Sequence, residues 1–272
     1  MTVAATPTYV IRGGIEGRER LRVLSRVMWP TTSALLDRVG VAPDARCLDV
    51  GCGGGDVSVA LAARVPGGTV VGIDLDATAI DLARQEAKAA RVGNVEYRVA
   101  DVMEPPRADE RFDLAYVRFL LTHLPDPAAA LASICAHVRP GGTVVVEDID
   151  CRGHFSDPDS AAFHTYVDLY AATARSRGCD PDIGPRLPNL LRGAGLVDRG
   201  MYVVQPAGFD GEVRLIAPIT LEAVADAIVG AGLATQAELH AVIDELYAFV
   251  QEEHTVVSLP RIIQAWGTVP AR

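Results

Sequence analysis

The chain has no basic excess. Lys and Arg number 25 against 35 Asp and Glu, a net charge of −10. Proteins that hold a phosphate backbone concentrate Lys and Arg, so no nucleic-acid partner is expected. The five cysteines, Cys47, Cys52, Cys135, Cys151 and Cys179, are odd in number and form no C-x-x-C pair. That pattern offers neither a disulfide framework nor a zinc site, and it suits a reducing cytoplasm. Met1 to Gly14 lacks a basic stretch followed by an apolar run, so no secretory signal is expected. The most apolar late stretch, 215–234, carries Glu222 and Asp226. It reads as an amphipathic helix, and no membrane partner is expected. Internal repeats, low-complexity tracts and an obvious linker are also missing.

What is present is apolar and periodic. Hydrophobic residues make up 49% of 272 residues, enough for a sizeable core. Residues 16–40 read as helical, with Leu21, Leu24, Val27 and Met28 on one face and a break or kink expected at Pro30. From Arg46 the pattern alternates. Short apolar runs (47–50, 69–73, 95–100, 112–117 and 143–149) are separated by helical stretches (57–65, 77–91 and 127–138). Strands alternating with helices give βαβ units and a parallel sheet. The second half reads as helices at 161–177, 186–194, 221–231 and 236–253, a strand at 200–205, and a final strand within 255–269. The expected fold is α/β: a Rossmann-like, doubly wound, seven-stranded and mostly parallel sheet with N-terminal helices and a helical lid.

In such a sheet, ligands bind outside the carboxyl ends of the strands, where strand order reverses. The informative residues fall at those ends. Gly51, Gly53 and Gly55 follow the first strand, where glycine allows a tight turn and close approach of a ligand. Asp74 ends the second strand, roughly 20 residues beyond the turn, the place of a ribose-binding carboxylate. Asp101 ends the third, where an acceptor can meet an adenine amino group.

A dinucleotide-binding oxidoreductase is the main rival reading. Its fingerprint is G-x-G-x-x-G/A, whereas here the spacing is G-x-G-x-G and Asp56 takes the last position. Asp49 and Asp56 place negative charge near the turn, which suits a sulfonium or ammonium better than a pyrophosphate.

Leu48-Asp49-Val50-Gly51-Cys52-Gly53-Gly54-Gly55 resembles the first motif of class I S-adenosylmethionine (SAM) methyltransferases. Gly72-Ile73-Asp74-Leu75-Asp76 resembles the second, and Ala100-Asp101-Val102 the adenine-contacting segment. Phe112-Asp113-Leu114, His123-Leu124-Pro125-Asp126-Pro127 and Val138-Arg139-Pro140-Gly141-Gly142 resemble later motifs of the UbiE-like group. The resemblance spans residues 45–150 and implies SAM as cofactor and methyl transfer as activity. It implies backbone contacts to the cofactor at Gly51, Cys52 and Gly53, with Asp49 nearby and Asp74 on the ribose. Leu75 would pack on adenine, Asp101 and Val102 would meet its edge, and Arg118 would lie beside the methionine moiety. The leader at 9–14 resembles a segment that some relatives fold over the cofactor, which would bring Tyr9 and Arg12 to the methionine carboxylate. One domain over 1–272 is then expected: a helical cap at 1–44, a SAM-binding core at 45–150, and lid helices with the final strands at 151–272.

Methyl transfer from a sulfonium needs alignment and exclusion of water. It needs a base only when the acceptor carries a tightly held proton. His123, just past the fourth strand, and His154, past the fifth, are the candidate catalytic residues. Each is set against a packing or capping role. His164 and Asp168 can pair across one turn. Phe163, Tyr166, Val167 and Tyr170 give their helix an aromatic face, for the core or for capping a pocket. Glu147, Asp148 and Asp150 raise the question of Mg2+. Metal-dependent relatives, however, place a carboxylate after the fourth strand, where this chain has Tyr116-Val117-Arg118-Phe119. No metal is expected. The same stretch lacks the N/D-P-P-Y type of motif that accompanies methylation of bases or of protein glutamine. A small organic molecule is the expected substrate, with an O-, N- or C-acceptor. A SAM-binding protein of the same fold with a non-methylating reaction is the other alternative.

Overall fold

The computed structural model describes residues 14–107 and 110–271. Among them, seven strands form one sheet: β1 (Arg46–Val50), β2 (Thr69–Asp74), β3 (Val95–Val99), β4 (Phe112–Arg118), β5 (Val138–Asp150), β6 (Val197–Val204) and β7 (Arg261–Thr268). Their order is β3-β2-β1-β4-β5-β7-β6. The pairs β1–β2, β1–β4, β2–β3 and β4–β5 are parallel, and β7 runs antiparallel to both its neighbours. The sheet is thus mostly parallel, as the alternating pattern implies. Strand order reverses between β1 and β4, which opens a crevice at their carboxyl ends. A small second sheet joins residues 156–157, 207–208 and 256–258.

The central strands β1, β4 and β5 are largely buried because both faces of the sheet are covered there, whereas the edge strands β3 and β6 carry exposed charged residues. Val144, Val145 and Val146 in β5 are fully buried. The covering helices are α1 (Gly14–Val39), α2 (Asp56–Arg64), α3 (Ala77–Ala89), α4 (Pro127–His137), α5 (Ala161–Ser176), α6 (Leu187–Gly193), α7 (Ile216–Gly230) and α8 (Gln236–Gln251). Local chemistry starts several of them. Asp76, Asp126 and Ser160 accept from backbone N–H groups of α3, α4 and α5, and Thr235 with Glu238 forms a capping box on α8. Leu24 and Met28 of α1 share a core with Phe163, Leu221, Val224 and Leu246 of α5, α7 and α8. That cluster forms the roof over the crevice. No described helix is long and apolar enough to cross a membrane.

The break expected at Pro30 does not occur; α1 runs through it. Pro30 is exposed, and the residues after it are held by tertiary bonds. The Thr32 hydroxyl donates to buried Glu147 at 2.8 Å, and Gln264 donates to the Thr31 carbonyl at 3.1 Å. Helix propensity is a weak prior that such packing overrides. Gly40, at φ +77°, then ends the helix by donating its N–H to the Leu36 carbonyl. Three boundaries also move by three residues or more: α7 begins at Ile216 rather than 221, β6 begins at Val197 rather than 200, and β5 begins at Val138 rather than 143. His164 meets Asp159 rather than Asp168, because Asp159 lies just outside the helix start and points back at it.

Candidate functional site

The glycine turn after β1 is built by left-handed backbone and one carboxylate. Gly51, Gly53 and Gly55 have φ of +70°, +51° and +82°, a region that L side chains avoid. Gly51 and Cys52 donate N–H to the Ile73 carbonyl at 2.9 and 3.0 Å, tying the turn to the end of β2. Gly53 donates N–H to Asp74 Oδ2 at 2.9 Å, and Asp76 donates N–H to Asp74 Oδ1 at 2.9 Å. Each Asp74 oxygen keeps a second lone pair for a ligand. Behind the turn, the Tyr97 hydroxyl donates to the Gly55 carbonyl at 3.2 Å. A Cβ at Gly72 would lie 2.7 Å from the Tyr97 ring, so that glycine is dictated by packing.

The turn opens onto a cavity of about 660 Å³ at the strand ends. Asp49, Gly51, Cys52, Gly53, Asp74, Leu75, Asp101, Val102 and Arg118 all line it, so it gathers every described residue expected at the cofactor. Tyr9 and Arg12 lie outside the described residues. Leu75 is 70% exposed, an apolar side chain left open at the cleft. Asp101 Oδ1 accepts from Met103 N–H at 2.8 Å, which fixes the carboxylate at the end of β3. Arg118 ends β4. Its Nη2 meets Ser25 Oγ at 3.4 Å, while its Nη1 is buried without a hydrogen-bond partner among the described residues. Phe119, next in line, is held at φ +54°, a strained conformation for a bulky residue and typical of functional turns.

Electrostatics divide the two carboxylates expected to act together. Asp49 is buried, and burial pushes its carboxyl up to about 6, with Ser58 Oγ donating to it at 2.6 Å and Arg118 opposing the shift. Asp56 is different. Arg18 Nη2 donates to it at 2.9 Å, and Arg18 Nε donates to Glu86 at 2.7 Å. The guanidinium packs over Gly54, where a Cβ would lie 2.5 Å from Cζ. Asp56 is therefore neutralised, and the expectation that it repels a pyrophosphate is corrected.

The far half of the cavity belongs to the lid. His123 and His154 both line it, and burial pulls both imidazoles down to about 4. Both are neutral at ordinary pH. His154 Nδ1 lies 2.8 Å from the Cys151 carbonyl, which can only accept. The proton is thus on Nδ1, and Nε2 is left as the acceptor. Phe163 and Tyr166 hold the ring edge-on, each 5.9 Å between centroids. Tyr166 and Tyr170 line the cavity while Phe163 packs in the core, so the aromatic face serves both uses.

Glu147, Asp148 and Asp150 do not line the cavity. Glu147 accepts from Thr32, Tyr116 and Gln264. Asp148 accepts from Thr122 N–H and Ile149 N–H, and Asp150 pairs with Arg152 and Arg261. Among the described residues, no group of His, Cys, Asp and Glu is arranged for a metal ion.

Sequence reasoning missed Arg18 and Arg20 on α1, Met103 after β3, and Ile216 and Thr220 on α7, all of which line the cavity. The available signal was on α1. The two arginines lie within the turn before Leu21 and Leu24, whose spacing marks the face turned to the core.

Residues 47–142 match a family described as "Methyltransferase domain". A trans-aconitate 2-methyltransferase of Deinococcus radiodurans is 34% identical over 180 residues, 64% of this chain and 67% of the relative. Methyltransferase GfsG of Streptomyces halstedii is 32% identical over 146 residues, 53% of this chain and 51% of the relative. The chain thus spans from about half to two thirds of the length of these relatives. In fold, it resembles a methyltransferase structure from Bacillus halodurans with a TM-score of 0.59 at 20% identity, covering 88% of this chain and 98% of that one. The fold and the turn define a nucleotide-type cleft at a topological switch point. The chain belongs to the class I SAM-dependent methyltransferases. The dinucleotide oxidoreductase alternative is thereby set aside.

Proposed function

We propose that the cleft holds SAM along the glycine turn and that the chain methylates a small organic acceptor under the helical roof. The observation that carries this reading is Arg118. A half-buried guanidinium at the end of β4, with Nη1 orphaned among the described residues, suits the methionine carboxylate. Asp74 and Asp101 offer carboxylate oxygens for ribose hydroxyls and the adenine amino group. Leu75 and Val102 supply apolar surface for the ring, and the Gly51–Gly53 backbone leaves room for the sulfur end. Tyr9, beyond the described residues, is proposed to close over the same end. When bound, SAM supplies a methyl group already activated by the positive sulfonium.

The chain's own residues do the rest. Asp49 places negative charge under the cationic end of the cofactor. Leu24, Tyr166, Tyr170 and Ile216 exclude water from the acceptor space. His154, with Nδ1–H tied to the Cys151 carbonyl, can accept a proton at Nε2 from an acceptor hydroxyl, and His123 is the second candidate base. The D. radiodurans relative is named for trans-aconitate, which supports a small-molecule acceptor. No disulfide joins the described cysteines, which supports a reducing cytoplasm. We assign 1–272 to one methyltransferase domain, with a cap at 1–44, a core at 45–150 and a lid at 151–272.

The test is incubation with methyl-labelled SAM and a panel of small hydroxylated and carboxylated compounds, read by mass spectrometry. Labelled product, S-adenosylhomocysteine (SAH) release and loss of turnover in His154→Gln are expected. SAH binding without any methylated product would favour the non-methylating alternative.

A further inference from the structure

Among the described residues, three arginines line the cavity, and they are not in the same state. Arg18 is committed to Asp56 and Glu86. Arg118 sits at the end of β4 beside Asp49, at the cofactor's methionine end. Arg20 lies on the roof side. Its Nε donates to Thr220 Oγ1 of α7 at 3.0 Å, which orients the guanidinium and fixes α1 to α7. It is half-buried, and no carboxylate pairs with it among the described residues. Its positive field reaches His123, whose imidazole it pushes further down, and Tyr166, which also interacts with Thr220. A guanidinium inside a mainly apolar chamber, with neither Nη group claimed by a described carboxylate, is costly unless a ligand brings the opposite charge.

We propose that Arg20, held by Thr220, is the anchor for an anionic group on the methyl acceptor, and that the acceptor is a small organic acid with one carboxylate and an apolar body. This rests on the methyltransferase reading above and names the substrate class of that site. The single charge follows from the cations among the described residues. With Arg18 paired and Arg118 given to the cofactor, one guanidinium of the three remains, which matches a monocarboxylate better than a phosphate dianion. The apolar body follows from Leu24, Tyr166, Tyr170, Ile216, Leu259 and Ile262 around it. Arg20 is thus a specificity-determining residue that touches the substrate away from the glycine turn.

The experiment is calorimetry on the whole chain, free and loaded with SAH. The probes are octanoate, cinnamate and salicylate, each beside its neutral amide, together with phenyl phosphate. At least one acid is expected to bind more tightly than its amide and than phenyl phosphate. Arg20→Gln should weaken that acid about tenfold to a hundredfold, the range for a charge-assisted hydrogen bond. Thr220→Val should weaken it less. SAH affinity should be unchanged in both variants, which also shows that they fold. The proposal is overturned if no acid binds the SAH-loaded protein, if the amides or phenyl phosphate bind as well as the acids, or if Arg20→Gln costs SAH affinity as Arg118→Gln does. Failure of SAH to bind the native chain would count instead against the cofactor reading. The acid arm on the free protein then decides Arg20 by itself.

Discussion

Gly53 N–H donates to Asp74 Oδ2 at 2.9 Å, so the carboxylate that ends β2 holds the turn that ends β1. The same carboxylate lines the cleft and, as proposed, meets the ribose. One side chain therefore both shapes the site and occupies it.

Asp74→Ala should lower SAH affinity by about 1.5–3 kcal/mol through loss of charge-assisted hydrogen bonds. It should also lower stability, because Gly53 and Asp76 lose their acceptor. Asp74→Asn keeps one acceptor oxygen and should fall between the two. Calorimetry with SAH and denaturant titration of the free protein separate the effects. A stability loss with native SAH affinity would remove Asp74 from the ribose.

The strand-end residues were legible in the sequence because the period switch from helix to strand fixes where each strand stops. Asp74, Asp101 and Arg118 needed only that register to be placed at one sheet edge. The turn was legible because glycine at three positive-φ positions leaves few other readings. The roof was not. Arg20 and Thr220 are 200 residues apart and meet only through the packing of α1 on α7, which no local pattern reports. Asp56 misled for the same reason, since its partner Arg18 comes from another helix 38 residues away. Pro30 misled because its exposure and the anchoring of Thr32 are tertiary facts.

Arg18→Gln should destabilise the chain by about 1.5–3 kcal/mol, the scale of hydrogen bonds to charged groups. The side chain is 6% exposed, while Asp56 and Glu86 are 27% and 28% exposed. The partners regain water when the guanidinium goes, which keeps the cost below that of a fully buried pair. Arg18 ties α1 to α2 and α3, so α1 should also loosen over the cavity and SAH affinity should fall. Amide exchange would show the loss of protection concentrated in α1. Uniform exchange along the chain would mean that Arg18 contributes only global stability.

Asp49 should make cofactor binding pH-dependent. Its carboxyl is raised by burial to about 6 in the free protein. A raised folded value means that its stability contribution is complete below the ordinary carboxylate range and is lost as pH rises through about 6. Asp148, raised to about 7 by burial, acts with the same sign. The two imidazoles, depressed to about 4, act oppositely, since their contribution is lost as pH falls from the ordinary histidine range. SAM reverses the Asp49 penalty, because its cationic end favours the carboxylate over the neutral acid. SAM affinity should therefore fall as pH drops below about 6, at no more than about tenfold per pH unit for one proton. SAH lacks the sulfonium charge and should show a weaker dependence. Asp49→Asn should flatten both profiles and narrow the SAM–SAH difference, while the imidazole contribution to stability stays in place. Calorimetry of both ligands across the range where Asp49 titrates, on the native chain and on the Asp49→Asn variant, gives the comparison. Parallel SAM and SAH profiles in the native chain would separate Asp49 from the sulfonium.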